Sequence, residues 1–209
     1  MIKKIFLFWI TLIFVCNLCA QTNPQVVLPD RGDKYSDFVK RLEQGDTTVD
    51  FREFRESFVD CKQYKIKNKS SYDSLKQAVY TEMDKSDYQS IIKTTKEMLS
   101  IDYTSMFAHK ILQQTYKIIG DTLNRKKYHD IEFGLLKSIL KSGDSKSCET
   151  ARMVIQVEEE YFILDMIGAK LIKQSIDNEG GLCDKMYVKT DEGKKTYYFD
   201  VHKVFETYK

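Results

Sequence analysis

Pro29 is the last proline in this 209-residue chain, and only nine glycines occur along its whole length. Proline removes a backbone donor and clashes with the preceding helical turn, and glycine costs about 1 kcal/mol in a helix interior. A stretch lacking the first and poor in the second winds into helices wherever apolar residues recur at helical spacing. That spacing starts at Asp33. Tyr35, Phe38, Val39 and Leu42 stand at i, i+3, i+4 and i+7 and predict a helix ending near Gly45. Phe51, Phe54 and Phe58 repeat the period behind Thr48 or Asp50 as the cap. The lysine-rich segment 64–71 reads as a loop, and Tyr72, Leu75, Val79 and Met83 predict a third helix.

The clearest pair of helices follows. Tyr88, Ile91, Ile92, Thr95 and Leu99 form one stripe, and Ala108, Ile111, Leu112, Thr115, Tyr116 and Ile119 form another. A short turn at 100–104 joins them into an αα-hairpin that buries one stripe on the other. Its spacing resembles a single tetratricopeptide repeat, without the usual proline at the turn. A further helix, from Leu123 to Leu140, carries Tyr128, Ile131, Leu135, Leu136 and Ile139. One repeat cannot form a solenoid, so a compact helical region over 33–142 is expected.

After Gly143 the texture changes. Residues 153–157 (Met-Val-Ile-Gln-Val) are short and β-branched and read as a buried strand. Glu158 to Gln174 returns to helical spacing through Tyr161, Leu164, Ile167, Leu171 and Ile172. Met186 and Val188, a turn at 191–194, then Tyr197, Phe199 and Val201 predict a β-hairpin with a four-residue loop. A lone hairpin is marginal in water, so it is expected to pair with 153–157 as a three-stranded antiparallel sheet. The fold class is therefore α+β. A strand-helix-hairpin unit at 143–209 packs on the helices as one domain.

The N-terminus carries an address. Lys3 and Lys4 precede an apolar run over 5–15, then Ala20 and a polar chain, the pattern of a secretory signal peptide cleaved after Ala20. The run falls short of the roughly 20 residues that span a bilayer. Cys16 and Cys19 sit where a lipidated cysteine would, but Val15 and Leu18 occupy places where a lipoprotein signal carries a small residue. Periplasmic or secreted export is the reading, ahead of lipid anchoring. Residues 21–32, which hold both prolines, read as a flexible leader, and Arg31-Gly32-Asp33 at its end is taken as a chance tripeptide. Without 1–20 the chain has 189 residues, three cysteines (Cys61, Cys148, Cys183) and no net charge. That neutrality gives no argument for nucleic acid as a partner.

Three stretches carry a resemblance to a known family: Lys40 to Phe58, Leu140 to Gly168 and Cys183 to Phe205. Gly45-Asp46-Thr47-Thr48 before an aromatic helix, a Gly-Asp turn before a short apolar strand and acidic-Tyr pair, and Tyr198-Phe199-Asp200 near the end are similar to a domain-of-unknown-function family of short exported bacterial proteins. The chain departs from it at Phe58-Val59-Asp60, where members carry Tyr-Tyr-Gly. The resemblance implies export and fold and brings no activity.

No phosphate-binding, nucleophile-elbow, zinc-protease or EF-hand motif occurs, and no residue is assigned a catalytic, cofactor or metal role. Glu158, Glu159 and Glu160 form the densest acidic cluster. Glu158 and Asp165 could hold a divalent cation or work as acid and base, but acidic groups in a first helical turn are already favoured by the helix dipole. His109, His129 and Glu132 have zinc-compatible chemistry but no metal spacing, so hydrogen-bonded or exposed histidines are expected. Cys148 and Cys183 flank the two parts of the β unit, where a disulfide would staple the sheet, and Cys61 reads as a buried small hydrophobe. Gly45 to Thr48 reads as a helix stop and cap, or as a loop contributing to a ligand site. The tyrosines fall on helical stripes and are assigned to the core rather than to nucleic acid or glycan binding. The leading function is a non-enzymatic binding module that takes another protein or peptide in a helical groove. The alternative is a periplasmic metal-assisted hydrolase using the acidic cluster.

Overall fold

The computed structural model describes residues 26, 32–61, 64, 69–178 and 180–206. The signal segment, Arg31 and all of the leader except Val26 and Gly32 lie outside them. Val26 packs against the core.

Helix α1 (Lys34–Glu43) starts at Asp33, whose carboxylate accepts the Ser36 N–H at 2.8 Å, and buries Tyr35, Phe38, Val39 and Leu42. It ends in a left-handed Gly45 (φ +88°), with Gly45 N–H on Leu42 O and Asp46 N–H on Arg41 O. Asp50 caps α2 (Phe51–Asp60) through the N–H groups of Arg52 and Glu53. Tyr35, Phe38, Phe54 and Phe58 interlock where these two helices meet.

Four helices then pack in sequence: α3 (Lys69–Asp84), α4 (Tyr88–Ile101), α5 (Met106–Ile118) and α6 (Thr122–Leu140). Asp87, Ser105 and Asp121 cap the last three. The expected hairpin stripes are buried except at Ile119, which is exposed, and Tyr88, which is half-buried. Of the loop expected at 64–71, Lys69, Ser70 and Ser71 belong to α3, and residues 65–68 lie outside the described residues. Helix α2 lies on α6.

The second part is α+β as expected, with a larger sheet. Strand β1 (Arg152–Met153) is followed by α7 (Val157–Met166), β2 (Lys170–Asp177), β3 (Cys183–Thr190), β4 (Gly193–Asp200) and the short α8 (His202–Glu206). The order is β1-β4-β3-β2, antiparallel except that β1 runs parallel to β4. This corrects the three-stranded antiparallel sheet in three respects. The strand read at 153–157 is two residues long. Its other edge is occupied by side chains: Ser142 Oγ accepts the Met153 N–H at 2.9 Å, and Arg55 donates to Met153 O at 3.1 Å. The helix read to Gln174 stops at left-handed Gly168 (φ +64°), with Ala169 N–H on Leu164 O, so Leu171 and Ile172 belong to strand β2. The hairpin loop has two residues, Asp191 and Glu192, because Thr190 pairs with Gly193.

Met186, Val188 and Phe199 face the helices from the sheet and join one continuous core. Cys148 and Cys183 form a disulfide with Cα atoms 5.8 Å apart, tying the turn before β1 to the start of β3. Cys61 is buried. The bridge closes a 35-residue separation, for which loop entropy gives about 4 kcal/mol. Replacing both cysteines by serine is expected to lower the unfolding free energy in urea by about 2–4 kcal/mol.

A candidate binding groove walled by three helices

A cavity of about 470 Å³ opens between α3, α5 and α7. Tyr72, Lys76 and Tyr80 come from α3, spaced by four so that they share one face. Helix α5 contributes Phe107 and Lys110, and α7 contributes Glu158, Tyr161, Phe162 and Asp165. Lys76 Nζ lies 4.9 Å from the Phe107 ring centroid and Lys110 Nζ 5.3 Å from that of Phe162. Lys110 also pairs with Asp165 at 3.4 Å across the mouth. Aromatic faces thus line the walls, with cations on α3 and α5 opposite carboxylates on α7.

The floor is a closed polar network. Asp102 accepts from Thr104 N–H at 2.9 Å and Thr104 Oγ1 at 2.6 Å, while Gln156 Nε2 donates to both Asp102 and Thr104 at 3.0 Å. Gln156 precedes α7 as its cap residue yet makes no side-chain cap bond. Its amide instead fixes the α4–α5 turn against the start of α7. Tyr72 and Ser105 share a hydrogen bond beside this floor, and burial raises the Tyr72 phenol far above its ordinary value. Tyr72 is a neutral hydrogen-bonding group at any physiological pH.

The three glutamates that open α7 have three different surroundings. Glu158 lines the groove. Glu159 is 4% exposed and meets Arg55, 0% exposed, in a two-pronged ion pair at 2.8 and 2.6 Å. Arg55 also donates to Ser138 Oγ at 3.2 Å, and Glu159 accepts the Ile155 N–H at 2.8 Å. Glu160 is fully buried, and burial, then the charge of Asp184, pushes its carboxyl up to about 9. All three stand in the first turn, where the helix dipole favours them, but that alone does not account for two buried side chains.

The histidines are not gathered. His109 is buried and donates from Nε2 to Tyr103 O at 2.8 Å, and burial holds its imidazole down to about 4. His129 is on α6 with Nδ1 3.2 Å from Asp130. Burial raises the carboxyl of Glu132. Among the described residues no three His, Cys, Asp or Glu side chains are placed to hold a metal, and no helix is long and apolar enough to cross a membrane. Gly45 to Thr48 stops one helix and approaches the next. Asp46 accepts from Thr48 and Arg41, which hold its carboxyl down at about 2. Thr47 also borders a second cavity of about 550 Å³ between α2 and α6.

Sequence reasoning missed Arg55, Gln156 and Asp184, and two of these had a signal. Phe51, Phe54, Arg55 and Phe58 occupy i, i+3, i+4 and i+7, so Arg55 completes the buried stripe. Asp184 has the strand parity of Met186 and Val188, the row that faces the core. Gln156 had no such signal.

A family model covers residues 29–209. The chain belongs to the family described as Domain of unknown function (DUF4919). No curated protein and no solved structure matches it. Removing one partner of a buried ion pair leaves an uncompensated charge, at a cost of about 3–5 kcal/mol. Arg55→Ala is expected to lower unfolding free energy by that amount, and adding Glu159→Gln to recover part of it, measured as a double-mutant cycle in urea.

Proposed function

We propose that this protein is an exported, non-enzymatic binding module that takes a polypeptide segment of a partner protein in the groove between α3, α5 and α7. The observation that carries the reading is the wall chemistry. Phe107, Tyr80 and Phe162 offer apolar faces to aliphatic side chains, and Lys76 and Lys110 oppose Glu158 and Asp165. A ligand with apolar side chains and charges of both signs, spaced along a chain, is the chemistry of a peptide. Helix pairs of tetratricopeptide-like spacing, as in 88–119, present surfaces of this kind. Export is supported by the Lys3-Lys4 start with its apolar run and by the Cys148–Cys183 disulfide, since such bonds persist in oxidising compartments.

The competing metal-assisted hydrolase would use Glu158 and Asp165 in the same groove, and the two readings separate experimentally. Selection from a displayed peptide library is expected to yield binders that weaken at least 10-fold on Phe107→Ala, the size of a buried aromatic anchor. They are expected to weaken also on Lys110→Glu. Binders indifferent to both substitutions would rule the groove out. A rise in melting temperature with saturating zinc or calcium, together with failure to select peptides, would favour the hydrolase.

A further inference from the structure

Glu160 on α7 and Asp184 on β3 are 0% and 4% exposed where α7 packs on the sheet, and Asp184 is the foremost charge acting on the Glu160 carboxyl. Among the described residues neither oxygen of Glu160 has a hydrogen-bond partner, nor does Oδ1 of Asp184. The remaining Asp184 oxygen accepts from Gln174 Nε2 at 2.6 Å. Tyr161 donates to Gln174 Oε1 at 2.8 Å, which turns the amide's NH₂ toward Asp184. Asp184 thus has one donor, and among the described residues Glu160 has none.

We propose that Glu160 and Asp184 share one proton at neutral pH and form a latch between α7 and the sheet, closed in acid and released as the solution turns alkaline. Two buried carboxylates with three unpartnered oxygens between them cannot both be charged, and one proton supplies both the missing donor and the neutralisation. The surroundings leave the proton as the neutralising agent. The charged groups acting on Glu160 are acidic: Asp184 from β3, and Glu159 and Glu158 from its own helix. Glu159 is already paired with Arg55. From β2 the neighbour is Gln174, with Lys173 on the sheet's other face opposite Tyr187. From α5, Lys110 is engaged with Asp165 on the groove side. The latch stands on this buried pair and is independent of what the groove binds.

Burial holds the Glu160 carboxyl at about 9 in the folded chain, against an ordinary value of 4.5. The folded state therefore keeps a proton that the unfolded chain releases. The latch contributes fully below about pH 4.5, and its contribution is lost as the pH rises toward 9. Comparing the full chain with Glu160→Gln in urea across this range isolates that proton. The folding constant of the unsubstituted protein, relative to the variant, is expected to fall by up to about tenfold per pH unit. Parallel pH profiles overturn the proposal. If the variant does not fold, infrared spectroscopy of the unsubstituted protein decides. A protonated carboxyl band at neutral pH that vanishes on alkaline titration supports the shared proton, and its absence overturns it.

Discussion

The ion pair between Arg55 and Glu159 is the constraint to which the other parts are fitted. Five hydrogen bonds meet there: two between the charges, and one each involving Ser138 on α6, the carbonyl of Met153 in β1 and the N–H of Ile155. Desolvating a guanidinium and a carboxylate costs several kcal/mol each, and only near-complete satisfaction offsets it. Its structural effect is positional. It sets α7 against α2, holds the chain between β1 and α7 in place and closes the edge that β1 turns away from β4. The short strand β1 follows from this, since side chains already occupy that edge.

With α7 so held, its faces divide the work. One side carries Tyr161, Phe162 and Asp165 to the groove, another carries Glu159 to Arg55, and Glu160 meets the sheet. Gln156 completes the arrangement by joining the start of α7 to the α4–α5 turn. The groove is therefore bounded by elements linked through buried polar contacts, and a ligand entering it meets walls largely arranged in advance.

The helical half was legible because each helix has both a periodic stripe and its own stop or cap. Asp33, Asp50, Asp87, Ser105 and Asp121 all cap, and Gly45 and Gly120 lie just past helix ends with positive φ. The sheet was less legible. Leu171 and Ile172 continue the helical period from Leu164, but Gly168 ends the helix first, and a local breaker prevailed over an apolar spacing. Both residues remain substantially exposed, at 39% and 55%, so burial did not set their structure either. The cavity walls were not legible as a set, because only packing brings α3, α5 and α7 together. The signal-like segment falls outside the described residues.

What the sequence alone determined is what depends on neighbours a few positions away. Helix stripes, caps and the alternation of the hairpin are all of this kind. Which acidic residue would be paired, protonated or exposed was decided only by the tertiary structure. Glu158, Glu159 and Glu160 are identical in type and adjacent in the chain. About 100° of rotation per residue separates their environments. The partners that tell them apart, Arg55 and Asp184, lie on a helix and a strand far away in sequence, so no local pattern could assign them.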